Sequence, residues 1–158
     1  MFTTNEEKNF FMSHIDGTKK VLEYGSGSST IQIGKKCKFI VSVEHQENWY
    51  NKINIELPSN AEILFRLPSL PYIEGGHDGT YDEFKSYVEA PLGKGTFDVI
   101  LIDGRARVSC ASIAHKLSND KTVIFIHDFD RPEYQEVLNY LEYMEQIGTM
   151  AKFILKNN

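Results

Sequence analysis

The chain has 158 residues, 41% of them hydrophobic and 25% charged, with a formal net charge of -5, which places it among single-domain globular proteins large enough to bury a core without staples. That acidity argues against a nucleic-acid partner, because phosphate binding wants clustered Lys and Arg, and leaves room for a small acidic substrate held by a few arginines. Cys37 and Cys110 suggest no disulfide framework and are expected as reduced, buried thiols in a cytoplasmic setting; no apolar run reaches bilayer length and the polar N-terminus does not read as a signal peptide, so no membrane partner is expected.

Thr4-Asn5-Glu6-Glu7 has the form of a helix start, with Thr4 as N-cap and Glu7 at the capping-box position, and residues 1–18 are expected to form an N-terminal helical segment closed by Asp16-Gly17. Apolar runs follow at 20–24, 38–43, 61–65, 97–102 and 122–126. Each is short and nearly continuous in hydrophobicity, as parallel strands covered on both faces require. Helices are expected at 29–36, 46–55, 80–89, 107–117 and 132–140. The alternation predicts one α/β domain over 1–158: a Rossmann-like, doubly wound, mostly parallel sheet with helices on both faces. Residues 143–147 and 150–155 read as an antiparallel C-terminal hairpin about Gly148-Thr149, the alternative being a longer helix and one last strand. Trp49, Tyr50 and Ile53 have helix-core spacing, as do Val137, Leu138, Tyr140 and Leu141, while Lys35, Lys36 and Lys38 are expected on a solvated helix end.

The most informative stretch is Val21-Leu22-Glu23-Tyr24-Gly25-Ser26-Gly27-Ser28-Ser29-Thr30, a strand, an acid, two glycines and a hydroxyl-rich helix start. Gly25 and Gly27 allow a sharp turn and close approach to a ligand. Glu23 sits badly beside a pyrophosphate and suits a ligand with an ammonium group, which favours S-adenosylmethionine (SAM) over NAD. Three further features fall at strand ends, where open α/β sheets bind ligands. Glu44-His45 follows the second strand, with Glu44 placed for ribose hydroxyls and His45 for an adenine face; Asp103-Gly104 follows the fourth, and His127-Asp128-Phe129-Asp130-Arg131 the fifth. The stretch 66–79, with turn signals at Pro68, Pro71 and Gly75-Gly76, carries Tyr72, His77 and Asp78 and is expected to cover a substrate.

In this combination the chain resembles the class I SAM-dependent methyltransferases over most of its length. The family's acid-x-Gly-x-Gly pattern reads as Glu23-Tyr24-Gly25-Ser26-Gly27, its ribose acid as Glu44, and its acid after the fourth strand as Asp103. The resemblance implies SAM across the strand ends, with Gly25 and Gly27 against it, Glu23 acting on its amino end directly or through water, and Ser28, Ser29 and Thr30 at its carboxylate. A shorter resemblance, in Ile102-Asp103-Gly104-Arg105 and Phe125-Ile126-His127-Asp128-Phe129-Asp130-Arg131, is to the glucuronoxylan O-methyltransferase family, which implies a saccharide acceptor.

Methyl transfer to a hydroxyl is an in-line displacement helped by a base. His127 or Asp103 is expected as that base, with Asp128 and Asp130 orienting it or holding a divalent cation, and Arg105 or Arg131, with Tyr72 and His77, binding the acceptor. Asp130 reads as the N-cap of the helix at Pro132 or a partner of Arg131. Asp103 and Asp128 also offer oxygen ligands to a divalent metal such as Mg²⁺ or Mn²⁺. The expected function is a SAM-dependent O-methyltransferase for a small hydroxylated, saccharide-like molecule, acting alone, as a homo-oligomer or within a larger protein. The alternatives are a non-catalytic SAM- or nucleotide-binding partner subunit and an NAD-dependent enzyme.

Overall fold

A computed structural model describes residues 2–72 and 77–157. Its strands are β1 (Lys20–Tyr24), β2 (Phe39–Glu44), β3 (Ala61–Phe65), β4 (Phe97–Ile102), β5 (Ser118–Ile126), β6 (Leu141–Ile147) and β7 (Met150–Leu155). They form one sheet in the order β3-β2-β1-β4-β5-β7-β6. The first five run parallel, and β7 lies antiparallel to both β5 and β6, so the expected C-terminal hairpin is present. Strand order reverses where β1 pairs with β2 on one side and β4 on the other, Leu22 lying opposite Val41 and Ile100.

Side chains alternate across the sheet with a period of two, and each face has its own core. Leu22, Tyr24, Val41, Ile100, Ile102, Ile124 and Ile126 pack on one face against Tyr87, Cys110, Tyr134 and Val137. Val21, Ile40, Val99, Leu101 and Phe125 pack on the other against Phe11, Met12 and Ile33. Glu23 falls on this second face in place of an apolar residue, which is the first sign that its surroundings are specialised.

The helices are α1 (Asn5–Met12), α2 (Ser28–Gly34), α3 (Glu47–Asn54), α4 (Lys85–Glu89) and α5 (Arg107–Ser112). Thr4 caps α1 as expected, its Oγ1 accepting the Glu7 N–H at 3.1 Å. Three helices are shorter or tighter than expected. Residues 81–84 form turns, with Thr80 and Glu83 exchanging side-chain to backbone bonds before α4 begins. The Ser112 hydroxyl donates to the Ser109 carbonyl at 2.6 Å, competing with the helical ladder, and α5 gives way to a 3-10 turn at Ala114–Lys116. Pro132–Asn139 is 3-10 rather than α, and Tyr140 and Leu138 are exposed while Val137 and Leu141 enter the core beside Tyr134. Cys37 and Cys110 are buried free thiols, and Lys35, Lys36 and Lys38 are exposed. Gly75-Gly76 lies outside the described residues. No helix among the described residues is long and apolar enough to cross a membrane.

Candidate active site

β1 ends in a turn at Gly25, whose φ of +97° is the left-handed region that favours glycine. A Cβ there would stand 2.6 Å from the Asp103 carbonyl oxygen, so the loop after β1 lies hard against the end of β4. Ser26 donates its backbone N–H to Glu44 Oε1 at 3.0 Å, and the Trp49 indole N–H donates to the Ser26 carbonyl. Gly27 is extended, caps α2 and donates its N–H to Thr30 Oγ1 at 3.0 Å.

Glu23 is fully buried beneath this loop. Its carboxylate accepts hydroxyl protons from Ser29 at 2.5 Å, Thr30 at 2.5 Å and Ser42 at 2.9 Å. Burial pushes its pKa up to about 7 against those three bonds, which pull it down. Of the two routes expected for Glu23, direct contact with the ligand's amino end or action through water, burial closes the first, and the acid anchors the loop from inside. The same bonds turn Ser29 and Thr30 inward, away from the ligand carboxylate expected there. Ser28 is exposed and lines a separate small cavity with Thr4 and Lys8.

A cavity of about 320 Å³ opens beyond the ends of β1, β2 and β4, at the reversal of strand order. Gly25, Ser26, Glu44, His45 and Trp49 line one side. Glu44 is 3% exposed and its carboxylate also accepts the N–H groups of His45 at 3.1 Å and Gln46 at 2.9 Å. Burial raises its pKa and these bonds oppose the rise. The His45 ring meets Phe84 and Tyr87 edge-on. Trp49, expected as packing, is part of the cavity wall, because the indole bond to Ser26 draws it over the loop.

Asp103, Gly104, Arg105, Arg107 and Arg131 line the opposite side. Behind them runs a chain of alternating charges. The His127 ring is 3.1 Å from Asp103 Oδ1 through Nδ1 and 3.1 Å from Glu7 Oε2 through Nε2. Arg107 lies 3.6 Å from Asp103 Oδ1, donates to Asp128 Oδ2 at 3.2 Å and to the His127 carbonyl at 2.7 Å, and rests on the Tyr134 ring. Asp128 continues the chain to Arg131 at 3.6 Å. Burial lowers the His127 pKa, but the hydrogen bond and charge of Asp103, with Asp128 and Glu7, outweigh it and the net shift is upward. Asp103 and Glu7 are resisted by burial yet shift downward, Asp103 through His127 and Arg107, Glu7 chiefly through Thr149.

These pairings bear on several expectations. A carboxylate faces each ring nitrogen of His127, with the Thr3 hydroxyl also 3.1 Å from Nε2, so both nitrogens already have partners that a proton transfer with substrate would have to displace. The ring is also 4% exposed and is not part of the cavity wall. Asp103, His127 and Asp128 place ligand atoms within 4.8 Å of one another, the geometry expected of a metal site. Arg107 already lies 3.6 Å from Asp103 and 3.2 Å from Asp128, and His127 Nδ1 3.1 Å from Asp103, so a divalent ion there would have to displace these contacts. Tyr72 and His77 do not line the cavity: the Tyr72 hydroxyl donates to the His77 carbonyl at 2.5 Å and His77 Nε2 pairs with Glu83 at 2.8 Å, while the Tyr72 ring lies 6.0 Å from the guanidinium of Arg105 on the cavity wall. Asp130 is exposed, Arg131 is the N-cap residue before Pro132, and the partner of Arg131 is Asp128.

Sequence reasoning missed Ser26, Gln46, Arg107 and Glu7. Arg107 reads as an ordinary helix-start residue, and Glu7 as a capping-box acid. Instead the Glu7 carboxylate accepts from the Thr149 N–H at 2.9 Å and clips α1 to the β6–β7 turn.

No protein-family model matches the chain, and no curated protein matches it. Solved structures do. A methyltransferase-like protein from Silicibacter pomeroyi superposes with a TM-score of 0.70 at 25% identity, over 99% of this chain and 88% of that one. A TehB-like SAM-dependent methyltransferase from Corynebacterium glutamicum gives 0.61 at 14% identity, over 98% and 89%. The N-methyltransferase NodS of Bradyrhizobium japonicum, in complex with S-adenosyl-L-homocysteine (SAH), gives 0.60 at 10% identity, over 96% and 84%. The chain therefore has the Rossmann-like α/β fold of these methyltransferase structures, with a seven-stranded, mostly parallel sheet.

Proposed function

We propose that the chain is a SAM-dependent methyltransferase. The observation that carries this reading is the 3.0 Å bond from the Ser26 N–H to Glu44 Oε1, which ties the glycine loop to the acid at the end of β2 on the wall of one cavity. A carboxylate has about four acceptor sites and backbone N–H groups take three at Glu44, which leaves about one for a ligand hydroxyl such as that of a ribose. His45 and Trp49 add flat aromatic surface suited to a purine. The donor set thus fits SAM, and the methyltransferase-like protein and SAH-bound NodS of the same fold support it.

SAM, when bound, supplies a methyl group already activated on a sulfonium. The chain's own contribution is to hold the acceptor in line and keep water out. With His127 and Asp103 committed to ion pairs, alignment outweighs proton abstraction in this site. The favoured acceptor is a small hydroxylated molecule, a saccharide foremost, held by the N–H groups of Arg105 and Arg131 at the cavity wall. The likeness over 102–105 and 125–131 motivates that acceptor.

Thermal melts with SAM, SAH and NAD, followed by SAH release on panels of sugars and amines, test the reading. SAM and SAH at about 100 times their Kd stabilise the fold by about 3 kcal/mol, and sugars turn over. Stabilisation by NAD alone contradicts the cofactor. Turnover of amines alone corrects the acceptor, and SAM binding without turnover leaves a non-catalytic partner subunit.

A further inference from the structure

The turn after β4 carries the arginine wall of the cavity and lacks a cap of its own. Ala106, fully buried just before α5, has a φ of +51°, a left-handed conformation that a Cβ disfavours. Its side chain offers no acceptor to the first N–H groups of the helix. Asp78 supplies the acceptors instead, from 29 positions before Arg107. Its carbonyl accepts the Ala106 N–H at 2.7 Å and its Oδ2 the Arg107 N–H at 2.7 Å. Backbone N–H groups only donate, so the direction of both bonds is fixed. Burial pushes the Asp78 pKa up, and the N–H and guanidinium of Arg107, the charge of Arg105 and the Val108 N–H oppose the rise. The Arg107 guanidinium, which also only donates, reaches out in turn. Nε donates to the Gly104 carbonyl at 3.0 Å, and Nη1 to the His127 carbonyl at 2.7 Å and to Asp128 Oδ2 at 3.2 Å, while Nη2 lies 3.6 Å from Asp103 Oδ1. These contacts all hang on one backbone position, and hydrogen bonds of this length fail over a shift of about 1 Å.

We propose that Asp78 is a positioning residue of this site: by holding the N–H groups of Ala106 and Arg107 it fixes the Arg107 guanidinium against Asp103, Asp128 and the His127 carbonyl. Asp78 is not part of the cavity wall, so it acts there through Arg107. Arg107 in turn sets Asp128, which is the partner of Arg131 on that wall. The 66–79 stretch, expected to cover a substrate, thus contributes a residue that holds the wall in place. What this does for turnover rests on the methyl-transfer reading above, because alignment of an acceptor needs Arg107 and Arg131 in one arrangement. The hold on Arg107 does not rest on that reading.

NMR of the Arg107 Nε–H tests the hold with no ligand present, in wild type, Asp78→Ala and Asp78→Asn at a temperature where all are folded. Its exchange with water is expected to be at least about tenfold faster in Asp78→Ala, measured against core amides of β1 and β4 that report global opening. Asp78→Asn is expected to restore the wild-type rate, because its amide oxygen still accepts the Arg107 N–H. An Arg107 Nε–H that exchanges no faster than those core amides predict reduces Asp78 to a structural part of its own loop and overturns the proposal. Failure of Asp78→Asn to rescue overturns it as well, since the hold would then be charge and not the N–H bond. Should Asp78→Ala not fold, Asp78→Leu removes the acceptor at similar volume and takes its place. On an acceptor that turns over, Asp78→Ala is expected to lower kcat/KM about tenfold and to lower it no further in an Arg107→Ala background. Additive losses contradict the route through Arg107. If no acceptor turns over, the methyl-transfer reading falls, and the exchange rates still decide the role of Asp78.

Discussion

His127 is the residue on which the charge network behind the cavity turns. Removing its ring leaves Glu7 and Asp103 as buried carboxylates without their shared cation, a loss of about 3–5 kcal/mol. His127→Ala is expected to show that loss in a urea melt; a change under about 1 kcal/mol contradicts the pairing. The pH dependence has a definite sign. His127 has a raised pKa when folded, so its contribution is full below the ordinary imidazole value and lost as pH rises through the raised one. Glu7 and Asp103 have lowered values, so theirs is full above the ordinary carboxylate value and lost as pH falls through the lowered ones. Stability is expected to be highest between these limits, and a urea midpoint that does not fall on either side contradicts the network. Little of this was legible in the sequence. His127 and Asp103 stood out as polar residues at strand ends, but their partners come from 120 positions away for Glu7 and from an undistinguished arginine at 107. Periodicity and local motifs carry no information about such long-range charge pairing.

Among the elements, α1 and the β6–β7 hairpin act as one unit through Glu7. Gly148 has a φ of +59°, and a Cβ there would stand 2.5 Å from Glu7 Oε1. Gly148→Ala is expected to cost about 2 kcal/mol or more, from the backbone conformation and the displaced carboxylate together. Faster amide exchange in both α1 and β7 is the measurement; exchange confined to the hairpin contradicts the coupling. At the other end of the sheet, Gly25→Ala meets the backbone of Asp103 rather than a movable side chain. It is expected to abolish SAM binding, read by calorimetry, and wild-type affinity would contradict the loop geometry. The strands and the glycine turn were readable because parallel strands buried on both faces leave continuous apolar runs. The helices were less so. Thr80 with Glu83, and Ser112 with Ser109, divert hydrogen bonds from the helix, and Pro132–Asn139 settles as 3-10.

For the whole molecule, the sheet order brings the ends of β1, β2 and β4 to one cavity, and that was foreseeable from the alternation of strands and helices. The division of labour inside it was not. Glu23, expected at the ligand, is held inside by three hydroxyls, and Trp49, expected in the core, stands at the cavity. Both reversals have one cause: hydrogen-bonding side chains from α2, β2 and α3 converge on Glu23 and the three-residue loop 25–27, and a sequence does not display convergence. On the proposed function, the loop and Glu44 together make a SAM site, which calorimetric titration of SAM into wild type and Glu44→Ala checks. Saturable binding is expected for the wild type and at least about tenfold weaker binding for the variant, a difference of about 1.4 kcal/mol. No binding by the wild type, or equal binding by a folded variant, would contradict it.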